Sequence, residues 1–362
     1  MHQLKHIFLC TIFIGLGASQ AWSQKAEGGR FDRINYTAPS LADNVGGEEP
    51  TRSVSIYLPP GYEKSKMRYP VIYFLHGYGV NDSLMVVWLE LKKVMDRAIA
   101  QQRIPPVLLV IPNCESRYFG SFYTNSVVNG NWGDFIAHDL VKHVDLNYRT
   151  IPRKEARGLF GHSMGGNGVL RIVMKYPDIY NAAYALSPGA LHWSKEFNLD
   201  NAAFRTLQEV TNEAAILQHD EDPTINPSRF WTPLMAALGR SFSPDVNAQP
   251  LQAKLPVSYQ GTERSIHVEV LELWEKNFPI NMAHHHIDAL KLLRGLKFDW
   301  GRQEEFPHIP ATCRELSARL SALGIQHEAE EYIGGHVDNI GGTSGRITTE
   351  VLPFFAILLE FK

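Results

Sequence analysis

"ARGLFGHSMGGNGVL", Ala156 to Leu170, runs from an apolar segment through a glycine-rich turn and back into an apolar one. That passage reads as a buried strand handing over to a helix, with Ser163 at the tip of the turn. Upstream, "TRSVSIYLPPGY" (Thr51 to Tyr62) alternates apolar and polar residues as an outer strand does. "YPVIYFLHGYG" (Tyr69 to Gly79) and "PPVLLVIPN" (Pro105 to Asn113) are near-continuous apolar runs, the mark of strands covered on both faces. Helical spacing separates them through "LMVVWLELKKVMDRAIAQQ", and returns from about Trp132 to Leu146, where Phe135, Ile136, Leu140, Val141 and Val144 recur. "YNAAYALSPGAL" (Tyr180 to Leu191) adds a strand. Alternating strands and helices of this kind predict a mostly parallel central sheet flanked by helices.

After Leu191 the alternation lapses. From about His192 to Leu290 the chain is rich in Pro, Trp and polar residues, and it reads as a cap inserted into one domain. Regular order resumes with "ALKLLRGLKFDWG", a helix over "FPHIPATCRELSARLSALG", the strand "IQHEAEEYIGG" and a closing helix near "ITTEVLPFFAILLEF". At the other end, Lys5 and His6 precede an apolar run from Ile7 to Leu16 and then small residues around Ala18, Ala21 and Ser23, the layout of a secretory signal peptide over residues 1–23. The run falls well short of the roughly 20 residues that cross a bilayer, so the expectation is export without stable membrane insertion. Cys10 would leave with the signal, while Cys114 and Cys313 remain as either a bridge or two buried thiols. With 44% hydrophobic residues and a formal net charge of −3, the 362-residue chain can bury a large core and carries no cationic excess suited to nucleic acid.

Gly161-His162-Ser163-Met164-Gly165 matches G-x-S-x-G. The bare pattern arises by chance in roughly one chain in ten of this size, so its place between a strand and a helix carries the weight. A serine there needs a base, an acid to orient the base and donors for an oxyanion. Among the histidines, which include His76, His162, His192, His267, His284 to His286, His308 and His327, His336 stands apart. It follows a strand through Gly334-Gly335 and falls after Ser163, as the Ser, acid, His order of this architecture requires. Asp299, Glu304 and Glu305 are the candidate acids, and spacing alone does not separate them. The backbone N–H groups of Met164 and of Tyr78, in "LHGYG", are the expected oxyanion donors.

Together "LHGYG", "GSFYTNSVVNGNWGDFIAHDLVKHVDLNYRT", "GLFGHSMGG" and "YIGGHVDN" resemble the esterase D-type family of α/β-hydrolases, over about Arg52 to Asp178 and Lys297 to the C-terminus. That family holds feruloyl and acetyl-xylan esterases, S-formylglutathione hydrolases, siderophore esterases and mycolyltransferases. The resemblance implies an α/β-hydrolase fold and a serine carboxylesterase that needs no metal or organic cofactor. It puts the nucleophile on Ser163, the base on His336, the oxyanion donors on Met164 and Tyr78, and the acid, three residues after Gly301, on Glu304. Most relatives have Asp at that point. Export favours feruloyl or acetyl esters on plant polysaccharide. A siderophore esterase, an S-formylglutathione hydrolase-like enzyme, or a non-catalytic carbohydrate-binding protein on a hydrolase scaffold are the rivals. Trp132, Tyr123 and Trp193 are the expected substrate contacts, with Phe122, Trp231 and Trp274 as further aromatic candidates, and His284-His285-His286 reads as a solvated helix and not a metal tract.

Overall fold

The computed structural model describes residues 28–217 and 227–362; the signal-peptide reading and Cys10 fall outside them. Eight strands form the main sheet: β1 (Arg30–Thr37), β2 (Thr51–Leu58), β3 (Val71–Leu75), β4 (Leu108–Pro112), β5 (Arg157–His162), β6 (Ala182–Leu186), β7 (Gly295–Gly301) and β8 (Glu328–Tyr332). Their spatial order is β1-β2-β4-β3-β5-β6-β7-β8. β2 runs antiparallel to both β1 and β4, and every pairing from β4 to β8 is parallel. This is the mostly parallel, helix-flanked sheet the sequence predicts.

The central strands are apolar throughout because helices cover both faces. Val71, Tyr73 and Leu75 pack into one core with Trp132, Leu140 and Val169, while Ile72 and Phe74 face the other with Val94, Met95 and Phe355. Phe74 and Phe160 stack across adjacent strands, ring centroids 4.4 Å apart. Helices α1 (Asp82–Trp88) and α2 (Leu91–Ala100) lie on the second face. The run 132–147 takes a π turn over Phe135–Asp139 before α3 (Leu140–Asn147), which joins α4 (Met164–Lys175) on the first. β1, "RFDRINYT", has no counterpart in the sequence reading. As an edge strand it keeps polar residues half exposed, so it lacks an apolar run.

Among the described residues, the segment between β6 and β7 adds no strand to the main sheet. Its longest helix, α5 (Pro227–Phe242), is buried continuously from Phe230 to Phe242. Arg240 on α5 is 1% exposed, and its guanidinium donates to Asn129 Oδ1 (2.8 Å) and to Gly46 O (3.2 Å). Arg171 of α4 likewise donates to the main-chain and side-chain oxygens of Asn277. Buried arginines spent on these carbonyls join the segment to the body, because leaving such groups unmatched would cost several kcal/mol. Helices α6 (His308–Ala322) and α7 (Leu352–Leu358) complete the two faces. Cys114 and Cys313 are both free and buried. Among the described residues no helix is long and apolar enough to cross a membrane.

Candidate active site

Ser163 sits at the carboxyl end of β5 with φ 57° and ψ −117°, a backbone conformation that costs an L-residue about 1–3 kcal/mol. The neighbours hold it there. A Cβ on Gly161 would lie 2.4 Å from Gly165 O, and one on Gly165 would lie 1.9 Å from Leu75 O, so only glycine fits either side of the turn. Ser163 N donates to Leu186 O (2.9 Å), and Ser163 O accepts from Asn167 N (3.0 Å) and Gly189 N (3.2 Å). Met164 is the first residue of α4, so its N–H has no partner within the helix and points where the helix dipole favours negative charge.

The loop after β3 passes against this turn. A Cβ on Gly77 would lie 3.5 Å from Ser163 Cβ, which brings the neighbouring Tyr78 to the same side. His76 fixes the loop from beneath: its Nδ1–H donates to Gly77 O (2.8 Å), its Nε2 accepts from Cys114 N (2.8 Å), and its carbonyl accepts from Tyr123 Oη (2.8 Å). Burial pushes the His76 imidazole down to about 4, so it is neutral and structural. His162 is pushed to about 3, by burial first and then by the nearby His336. Its Nε2–H donates to His336 O (2.8 Å), so the residue before Ser163 holds the loop that carries the expected base.

His336 Nδ1 lies 2.8 Å from Glu304 Oε2, and the Glu304 side chain is completely buried. The ring packs 4.6 Å from His162 and 4.8 Å from Phe306, centroid to centroid. The three candidate acids, which spacing left open, separate cleanly in space. Glu305 accepts from the backbone N–H of His336 (2.7 Å) and does not touch the ring. Asp299 lies within β7, bonded to Arg346 Nε (2.6 Å) and Tyr184 Oη (2.7 Å), and burial pushes it up to about 6. It is a core ion-pair residue.

Ser163 opens into a partly enclosed pocket whose walls include Tyr78, Phe122, Phe197, Phe230, Trp231 and Phe306. The expected contacts Trp132, Tyr123 and Trp193 are not among its lining residues. Trp132 is wholly buried and donates to Asn129 O (2.8 Å); Tyr123 is spent on His76 O and packs against Gly168; Trp193 stacks on Trp274 at 5.3 Å. Each ring is used up in packing, and of the aromatic lining the sequence singles out only Phe122 and Trp231 as aromatic candidates and Tyr78 as an oxyanion donor. His308 also faces the cavity, a position its sequence, "FPHIP", does not distinguish from other packing histidines. His284 and His285 end a short helix, and among the described residues no group of three or more His, Cys, Asp or Glu is placed to hold a metal ion.

A family model described as "Putative esterase" matches residues 49–227. The chain is 24% identical over 285 residues to Esterase Rv1288 of Mycobacterium tuberculosis, covering 78% of this chain and 52% of that protein. It is 31% identical over 150 residues to an endo-1,4-beta-xylanase/feruloyl esterase of Xylanibacter ruminicola, covering 38% of this chain and 20% of that one. The chain therefore spans about half the length of the mycobacterial relative. Among solved structures, a ferulic acid esterase aligns with TM-score 0.59 at 17% identity, covering 91% of this chain and 98% of the other, so the fold is that of the α/β-hydrolases.

Proposed function

From the match of residues 49–227 to the putative-esterase family model, we propose that the chain hydrolyses carboxylic esters through an acyl-enzyme on Ser163. The observation that carries the reading is the 2.8 Å contact of His336 Nδ1 with the buried carboxylate of Glu304, beside a serine held in a strained turn. In this mechanism His336 Nε2 takes the proton of Ser163 Oγ as the oxygen attacks the ester carbonyl. Glu304 holds the Nδ1–H and balances the imidazolium. The N–H groups of Met164 and Tyr78 receive the tetrahedral oxyanion, each contributing about 3 kcal/mol of transition-state stabilisation. The imidazolium then protonates the departing alcohol, and water attacks the acyl-enzyme by the same route in reverse.

For substrate we propose feruloyl or acetyl esters on plant polysaccharide, reached after export and removal of residues 1–23. The aromatic walls of the cavity support a phenolic acyl group, as does the feruloyl esterase named among the relatives. The segment from about 192 to 290, which supplies Phe197, Phe230 and Trp231, acts in this reading as the cap that shapes substrate choice. The test is hydrolysis of methyl ferulate and p-nitrophenyl acetate by residues 24–362. Serine-dependent turnover, lost in Ser163→Ala together with labelling by a fluorophosphonate probe, is expected. A folded Ser163→Ala protein that keeps most of its rate would sink the mechanism, and an unlabelled, inactive wild type would favour a carbohydrate-binding scaffold.

A further inference from the structure

The turn after β6, Ser187 to Ala190, runs against Ser163 in a conformation its own residues do not favour. Ser187 has φ 39° and Ala190 has φ 52°, both left-handed without being glycine. Each such residue costs about 1–3 kcal/mol and persists only where its surroundings hold it. The turn matters to the site because Gly189 N donates to Ser163 O (3.2 Å), and because Gly189 and Ala190 line the pocket beside Ser163. A Cβ on Gly189 would lie 3.9 Å from Ser163 Oγ, so the main chain passes close beside that hydroxyl. Side chains from two helices grip the turn. Asn167 of α4, fully buried, donates through Nδ2 to Gly189 O (3.0 Å) and Ala190 O (2.9 Å). His308, 4% exposed at the start of α6, accepts through Nε2 from Ala190 N (3.2 Å).

The histidine accepts there in one form only, with Nε2 bare. Glu196 Oε1, from the inserted segment, lies 2.6 Å from His308 Nδ1 and also accepts from His308 N at 3.2 Å. A carboxylate on Nδ1 keeps the proton on that nitrogen and leaves the other with a lone pair. That lone pair is taken by Ala190 N–H, so the ring works through the turn and offers the ester nothing. The bond does more than fill a core. Ala190 N–H belongs to a wall shared with Phe197, Trp231 and Ile309, where an unpaired donor costs about 1–3 kcal/mol. Without the imidazole, the N–H finds a partner only by turning toward water in the pocket, and the turn, strained at both ends, shifts with it. Gly189 then no longer supports Ser163, and a shift of about 1 Å at a reacting atom can lower a rate roughly 100-fold.

We infer that His308, its tautomer set by Glu196, is a positioning residue that holds the 187–190 turn against Ser163 and so sets the reach of Ser163 Oγ. The inference rests on the serine esterase reading above and adds to it a residue that acts without binding the ester. The experiment measures kcat and KM of His308→Leu and His308→Gln for p-nitrophenyl acetate, with the rate of fluorophosphonate labelling of Ser163 followed in parallel. An acetyl group leaves most of the pocket unfilled, so lost substrate contacts weigh little in this assay. His308→Leu is expected to lower kcat and the labelling rate about 10- to 100-fold while KM stays within about twofold. His308→Gln, whose amide oxygen can replace Nε2 as the acceptor for Ala190 N–H, should recover most of both rates. A folded His308→Leu protein within twofold of the wild-type kcat, a change confined to KM, or a His308→Gln protein as slow as His308→Leu overturns the inference and leaves the esterase reading standing. A wild-type chain that neither cleaves the ester nor takes the label overturns both. If His308→Leu does not fold, Glu196→Leu replaces it: the ring stays and its tautomer is released, so the same fall in kcat at constant KM is expected, and an unchanged kcat overturns the inference.

Discussion

Replacing Glu304 with glutamine removes one charge and almost no volume, which makes it the sharpest test of the assembled site. An imidazolium and a carboxylate 2.8 Å apart attract by about 6 kcal/mol at an effective dielectric of about 20. With the carboxylate side chain fully buried and the histidine side chain 10% exposed, solvent screens little of this. The amide oxygen can still accept from Nδ1–H, so part of the orientation survives, and the expected loss is about 3–5 kcal/mol of transition-state stabilisation. That corresponds to a kcat lower by roughly 10²–10⁴. Among the described residues Glu304 Oε1 has no hydrogen-bond partner, so the new NH₂ lands where none of them accepts it and about 1–3 kcal/mol of stability goes with it. Each variant is therefore melted by circular dichroism before p-nitrophenyl acetate hydrolysis is followed at saturating substrate. Glu305→Gln, which touches only the His336 backbone, should cost no more than about tenfold. A folded Glu304→Gln enzyme within tenfold of wild type, or a larger fall in Glu305→Gln, would refute the assignment of the acid.

Two further expectations concern stability. Asp299→Asn should leave kcat of the folded enzyme nearly unchanged but lower its stability by about 1–3 kcal/mol, because Arg346 loses its buried carboxylate partner and keeps only Glu330 at 2.9 Å; urea unfolding checks this, and an unshifted midpoint contradicts it. His76 and His162 are neutral in the fold, with pKa values of about 4 and about 3 against 6.5 when free, so the unfolded chain takes up more protons as pH falls below 6.5. Stability should then be full above that pH and fall by about 1.4 kcal/mol per pH unit for each histidine down toward pH 4. Urea midpoints at pH 7, 6 and 5 measure the slope, which should flatten in His76→Gln if that protein folds.

What the sequence makes legible follows from burial. β3, β4 and β6 announce themselves because a strand covered on both faces must be apolar at every position, and the elbow announces itself because two glycines admit no substitute. β1 is silent: at the sheet edge its polar residues break up any apolar run, and Phe31, Ile34 and Tyr36 are only partly covered by the cores. Spacing leaves the acid open, and only the family resemblance points to Glu304, because three carboxylates within seven residues differ in direction, which depends on how the chain leaves β7 at Gly301, packed against Gly334. The cavity aromatics were largely missed because their convergence depends on α5 and on the segment around Phe197, whose packing partners lie far off in the chain. His308 was missed for the same reason: Glu196, the residue that gives it meaning, precedes it by 112 positions.

The backbone of Ser163 carries a last consequence. Its φ of 57° with ψ of −117° is comfortable for glycine and uncomfortable for serine, so under the proposed mechanism folding stability and nucleophilicity pull this one position in opposite directions. Glycine at 163 would relax the turn by about 1–3 kcal/mol and leave the protein inert. A lineage screened only for solubility and heat resistance would drift toward that form, which a screen that also requires turnover by the proposed mechanism would reject.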